Sequence, residues 1–163
     1  MVEWVPFLQN ARINGILIDS NLLVLLIVGA VNRERIARFK RTSKYTSSDY
    51  DLLLGLLSDF PLWCTVPHVL TEVSNLTDLY GPELVSARRL LQQQITVLEE
   101  IPVTSSDACG VECYERLGLT DAGIELVAQH RQYSVLTDDF NLYVALQQTG
   151  ASVGHFTYLR QLL

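Results

Sequence analysis

Ile16-Leu17-Ile18 is a short, unbroken apolar run that stops abruptly at Asp19-Ser20-Asn21, before a second apolar run from Leu22 to Val28. A run this short, with no polar alternation, is the pattern of a strand covered on both faces. Ser20 and Asn21 are residue types that start helices. The unit reads as buried strand, acidic turn, buried helix. The whole apolar window, Gly15 to Val31, is broken by those three polar residues and is too short to span a bilayer comfortably. A soluble protein is therefore expected. The N-terminus has no basic stretch ahead of an apolar run, so no secretory signal is expected either.

The pattern repeats downstream. Ser48 with Asp51 resembles a capping arrangement for a helix of Leu52, Leu53, Leu56 and Leu57, closed before Pro61. Leu62 to Val66 reads as a short strand, with Pro67 at the first position of the next helix. Gly81-Pro82 opens a helix through Leu98, and Ile95 to Val103 is open between helix end and strand. Ser105 or Ser106 caps a helix through Leu117, and Thr120 caps one from Asp121 to about His130. Tyr133 to Thr137 is strand-like, Asp138-Asp139 caps a helix to Gln148, Gly150 stops it, and Ala151 to His155 forms a last strand. Strands alternating with helices imply parallel pairing through right-handed crossovers. The expected fold is three-layer α/β/α with a central, mostly parallel sheet of four to five strands. A length of 163 residues and 48% apolar content fit one domain over residues 1–163, with a basic, helical insertion around 32–62.

The net charge is −6, yet Arg33 to Lys44 holds six of the twelve basic residues against Glu34 alone. That segment is +5, and the rest of the chain is −11. The three cysteines, Cys64, Cys109 and Cys113, form no regular framework, which points to reduced thiols in the cytoplasm. Cys109 and Cys113 are spaced to share a helix face. With no histidine cluster to complete a zinc set, they read as packing residues.

In open α/β sheets functional groups gather beyond the carboxyl ends of the strands. Asp19 and Asp138-Asp139 fall there. Glu72 lies in the first turns of the helix opened by Pro67, and Asp121 begins its own helix. Any one of them has an ordinary reading as a helix cap. Asp19 is harder to explain so, because burying a carboxylate beside Ile16, Leu17 and Ile18 is costly unless it is paired or bound to a cation. Clustered carboxylates with no interleaved lysine repel one another, and Mg²⁺ or Mn²⁺, which favour oxygen ligands, are the simplest compensation. No Gly-x-Ser-x-Gly elbow or Gly-x-x-x-x-Gly-Lys loop occurs, and His68, His130 and His155 are scattered. His68, four residues before Glu72, is open between a substrate or metal contact and a plain helix-start residue.

Four segments together resemble the PIN-domain nuclease family: Ile16-Leu17-Ile18-Asp19-Ser20-Asn21-Leu22-Leu23, Thr65-Val66-Pro67-His68-Val69-Leu70-Thr71-Glu72, Gly118-Leu119-Thr120-Asp121-Ala122-Gly123-Ile124, and Val135-Leu136-Thr137-Asp138-Asp139-Phe140-Asn141-Leu142. They occur in the family's order and span Ile16 to about His155. The resemblance implies a PIN-like fold and a catalytic, metal-holding set of Asp19, Glu72, Asp121 and Asp139. Asp138 would be a neighbour or substitute for Asp139. Asn21 and Thr137 would orient the acids, with strand packing as the other reading of Thr137. The implied reaction is hydrolysis of RNA phosphodiester bonds by an Mg²⁺- or Mn²⁺-dependent endoribonuclease.

On that reading Arg33, Arg35, Arg38, Lys40, Arg41 and Lys44 would neutralise RNA phosphates, and Phe39 and Tyr45 would stack on unpaired bases. The plainer reading is a solvated charged face. Glu125, one helical turn after Asp121, is a candidate fifth acid. The resemblance leaves open a toxin held by an antitoxin, a defence nuclease and an RNA-processing nuclease. Partners would be RNA, an antitoxin or other protein, and a second copy in a homodimer. The rival expectation is a PIN-like scaffold that has lost catalysis and binds RNA or protein. A haloacid-dehalogenase-like phosphatase usually has Asp-x-Asp here, where this chain has Asn21. A phosphate receiver needs a lysine near its acids, and none follows Lys44.

Overall fold

Gly15, at φ 104°, turns the chain out of an opening helix and into the first strand. The computed structural model describes residues 4–162. In chain order the elements are α1 (Trp4–Asn14), β1 (Ile16–Ile18), α2 (Ser20–Val31), a 3₁₀ turn (Arg33–Arg35), α3 (Ser47–Ser58), β2 (Trp63–Thr65), α4 (Pro67–Leu76), α5 (Gly81–Val97), β3 (Glu99–Glu100), α6 (Ser105–Ala108), α7 (Tyr114–Leu117), α8 (Leu119–His130), β4 (Ser134–Thr137), α9 (Phe140–Gln148), β5 (Val153–His155) and α10 (Phe156–Leu162).

All five strands pair in parallel, in the order β3-β2-β1-β4-β5. The fold is three-layer α/β/α, with helices on both faces of the sheet. β1 and β4 are buried along their whole length, as continuous apolar runs in parallel sheets are. From β1 the chain steps outward through β2 to β3, then returns to the other side of β1 for β4 and β5. The direction of winding therefore reverses between β1 and β4. A crevice opens at the carboxyl ends of strands flanking such a reversal.

α2 is buried on nearly every side, so it must be covered all round. It packs against α3, α4, α5 and the 3₁₀ turn. The segment between the 3₁₀ turn and α3 contributes Ile36, Phe39 and Tyr45 to the same core. A Cβ on Gly29 would lie 2.3 Å from the Tyr50 ring of α3, so this helix pair approaches closely only through glycine. Among the described residues no helix is long and apolar enough to cross a membrane.

Local boundaries differ from the sequence reading in several places, and α10 was not anticipated. α1, which was not anticipated, packs on β4 and β5. α3 is capped by Thr46 and Asp49 rather than Ser48 and Asp51, because the helix begins at Ser47 and takes Ser48 into its first turn; Asp51 pairs with Arg33. The expected helix through Leu117 is two short pieces, the first capped by Thr104. The break leaves Cys109 exposed and Cys113 buried, so the two thiols share no helix face. α8 starts at Leu119 after Gly118, at φ 88°, which removes Thr120 from the cap and sets Asp121 inside the first turn.

Candidate functional site

The pairing of Ile18 with Leu136 sets Asp19 beside Thr137, 118 residues later in the chain. Asp19 caps α2: its Oδ1 accepts from the Ser20 amide at 2.6 Å. Its Oδ2 accepts from the Thr137 hydroxyl at 2.6 Å. The Thr137 oxygen in turn accepts from the Asp139 amide at 3.0 Å. Asp139 caps α9, its Oδ1 accepting from the Asn141 and Leu142 amides at 2.8 and 3.1 Å. The Ser20 hydroxyl donates to Oε2 of Glu72 on α4 at 2.6 Å. Three acids from three parts of the chain are thus tied into one network by Ser20 and Thr137.

Asp121 completes the group from α8, which packs against α4. It is half-buried and accepts no hydrogen bond from the described residues, which sets aside its reading as a helix cap. Burial raises its carboxyl to about 8, helped by the negative charges of Asp19, Asp139 and Glu72. Asp19 is raised to about 6, chiefly by burial. Its hydrogen bonds from Thr137 and Ser20 hold it lower than burial alone would, while Asp139 and Glu72 push it up. Asp19 and Asp121 both feel the charges of Glu72 and Asp139, and none of the four acids forms an ion pair with a described residue. That is the local field expected of a functional carboxylate cluster.

Asp138, the expected neighbour or substitute for Asp139, already has partners within the chain. Its buried carboxylate accepts from the Tyr45 hydroxyl at 2.7 Å and from the backbone and hydroxyl of Thr157 at 2.9 and 2.7 Å, and it pairs with Lys44 at 2.8 Å. Burial would raise it, but Lys44, Thr157 and Tyr45 hold it below the ordinary carboxylate value. Asp138 is a structural anion, fully partnered within the chain.

Asn21, expected to orient the acids, makes no side-chain hydrogen bond to a described residue. Ser20 makes that contact instead, and sequence reasoning missed it. The signal was available: a hydroxyl next to Asp19, at the first position of α2, lies on the crevice side. Glu125 is 1% exposed, accepts from Gln129 at 2.8 Å and sits against the Cys113 thiol, which burial and Glu125 push up. It belongs to the packing of α7 on α8 rather than to the four acids.

The basic segment is mostly tied down. Arg33 binds Asp51 at 2.7 Å, Arg35 binds Glu83 at 3.1 Å, Lys40 binds Asp78 at 2.9 Å and Lys44 binds Asp138 at 2.8 Å. Arg38 and Arg41 alone of the six lack an ion-pair partner among the described residues. Phe39 and Tyr45 are 8% and 2% exposed and belong to the core, so neither is free to stack on a base.

No family model, no curated protein and no solved structure matches this chain. The chemistry of the site then rests on its own donors. Among the described residues no three His, Cys, Asp or Glu side chains stand close enough to hold one ion as they lie. The expected metal set of Asp19, Glu72, Asp121, Asp139 and Asp138 is therefore not a preformed cage. Asp19, Glu72 and Asp139 spend oxygens on amides and hydroxyls. The donor type nonetheless suits a hard divalent cation, being all carboxylate oxygen with no competing positive charge. Asp121 has both oxygens unspent.

Proposed function

We propose that the chain is a metal-dependent ribonuclease of the PIN-like kind, with Asp19, Glu72, Asp121 and Asp139 as its working carboxylates. One observation carries this reading. Four acids distant in sequence gather at the winding reversal of a parallel sheet, where burial and neighbouring carboxylates raise Asp19 and Asp121, and the four lack a positive partner among the described residues. A cluster built only for stability would be cheaper with an arginine or an apolar residue in it. Stability alone does not account for it.

Mg²⁺ or Mn²⁺, held by these four residues, would supply a water of lowered pKa and charge neutralisation at a phosphate. The chain's own part is positional. Thr137 and the Ser20 amide fix the Asp19 carboxylate, the Ser20 hydroxyl fixes one oxygen of Glu72, and the α9 amides fix one oxygen of Asp139. Asp121 is left to turn toward the cation. Arg38 and Arg41 are the residues left free to meet phosphate, a contact that gives affinity without reading sequence.

The rival is a PIN-like scaffold that binds RNA or protein without cutting, and the open geometry of the four acids is what favours it. Incubation of mixed-sequence RNA with wild type, Asp19→Asn and Asp121→Asn, in Mn²⁺, Mg²⁺ or chelator, decides between them. Cleavage by wild type alone, abolished by chelator, is the expected result. Equal cleavage by all three proteins would remove the nuclease reading.

A further inference from the structure

A groove of about 670 Å³ leads away from Glu72 between α4 and the Val103–Thr120 region. Its polar lining is His68, Thr71, Glu72, Asn75, Ser105 and Thr120, and no lysine or arginine is among the described residues that line it. The volume is within the range of small-molecule sites. A phosphate would find no cation there and one carboxylate to repel it. The groove suits the neutral part of a nucleotide.

One wall has a fixed direction. His68 Nε2 lies 2.9 Å from the Ser105 hydroxyl, while its Nδ1 is buried without a partner against Gly123, where a Cβ would come within 3.4 Å. Orphaned buried N–H groups are rarer than orphaned acceptors. The tautomer assigned from these contacts carries its hydrogen on Nε2 and donates it to Ser105. The Ser105 hydroxyl then has its own hydrogen free for an acceptor in the groove. The Asn75 amide offers a donor and an acceptor, and the Thr71 and Thr120 hydroxyls offer both as well. A sugar hydroxyl, itself donor and acceptor, complements this set, and the 2′-hydroxyl is the group that distinguishes RNA from DNA.

We infer that this groove is a ribose subsite: it seats the nucleotide next to the scissile phosphate and selects RNA through its 2′-hydroxyl, with Ser105 and Asn75 as the reading residues. This rests on the reading of the four acids as a phosphodiesterase site.

The test is a scan of one single-stranded RNA in which each nucleotide in turn is replaced by its 2′-deoxy form, with kcat/KM measured in Mn²⁺ for wild type, Ser105→Ala and Asn75→Leu. Ser105 and Asn75 are exposed, so both variants keep the fold. Wild type is expected to lose about tenfold at one nucleotide beside the cleaved bond, the scale of one or two hydrogen bonds in an open groove. Each variant is expected to lose about threefold to tenfold on all-ribose RNA and to become insensitive to deoxy substitution at that nucleotide, the non-additivity of a shared contact. A flat scan in an active wild type, or variants that retain the wild-type scan, would overturn the ribose subsite and leave the nuclease reading standing. Absence of any chelator-sensitive cleavage by wild type would overturn both.

Discussion

Thr137 donates its hydroxyl hydrogen to Asp19 at 2.6 Å and receives the Asp139 amide at 3.0 Å on the same oxygen. One buried side chain therefore orients the acid that caps α2 and the backbone that presents the acid capping α9. Thr137→Val keeps the shape and removes both contacts. It leaves a buried carboxylate oxygen and a backbone N–H short of a partner, at a cost of about 1–3 kcal/mol. Chemical denaturation should show that loss. Stability equal to wild type would mean that the two contacts contribute nothing net.

Asp121→Asn should move stability the other way. A carboxyl raised by burial and by three neighbouring carboxylates binds its proton more tightly in the folded chain than in the unfolded one. Its charged form therefore opposes folding, fully so above pH about 8 and not at all below the ordinary carboxylate value near 3.8. Removing the charge is expected to add about 1–3 kcal/mol at pH 7. The gain should shrink steadily as the pH is lowered to 4. A loss of Tm at pH 7 would show instead that Asp121 stabilises its helix.

Divalent cation should raise the Tm of wild type with no RNA present. A ligand at ten times its Kd adds about 1.4 kcal/mol, or about 3–5 °C for a chain of this size. The rise should be larger at pH 7 than at pH 5, where protons hold Asp19 and Asp121, raised to about 6 and about 8, against the cation. Asp121→Asn should lose most of the response. Equal shifts in wild type and variant would place the cation elsewhere.

Ser20 and Asn21 are adjacent, yet they should respond differently. Ser20→Ala frees Glu72 from its only described hydrogen-bond donor and is expected to lower kcat by about tenfold to a hundredfold, the cost of a misplaced group, with a small change in Tm. Asn21→Ala should leave kcat within about twofold of wild type and stability within about 0.5 kcal/mol, since its side chain makes no hydrogen bond to a described residue. The reverse ranking would return the orienting role to Asn21.

Tyr45→Phe tests the separation of Asp138 from the acids. It deletes the donor at 2.7 Å on a buried carboxylate and should cost about 1.5–3 kcal/mol. Asp138 is held below the ordinary carboxylate value, so its partners' contribution is present above that value and is lost as pH falls through the lowered one. The penalty of Tyr45→Phe should accordingly be full at pH 7 and smaller near pH 3. The cation response should match wild type.

The sheet and the acids were legible because both follow from local pattern: the unbroken apolar run of β1 ending at Asp19, and the Val135-Leu136 centre of β4 ending at Thr137-Asp138-Asp139. β3 was not legible, since Glu99 and Glu100 are exposed edge residues held by backbone pairing to β2. α1 carries its signal in Trp4, Phe7, Leu8 and Ala11, but Pro6 and the asparagines dilute it. The division of labour between Asp138 and Asp139 lay beyond local reading. Two identical neighbours are told apart only by which one meets the Lys44 and Tyr45 arm from the far side of the chain. Long-range pairing likewise gives four of the six basic residues partners within the chain, because Glu83, Asp78, Asp51 and Asp138 lie outside the segment that suggested the arm.

The cover over α2 bears on how this chain tolerates trimming. Residues 33–58 resemble an accessory in the sequence, yet they supply Ile36, Phe39, Tyr45, Leu53 and Leu57 to the core. A minimal version that joined Asn32 to Phe60 by a short linker would expose one flank of an apolar helix whose first turn carries Asp19 and Ser20. Such a miniature would aggregate before its chemistry could be assayed, so this region is scaffolding that the reactive end of the molecule stands on.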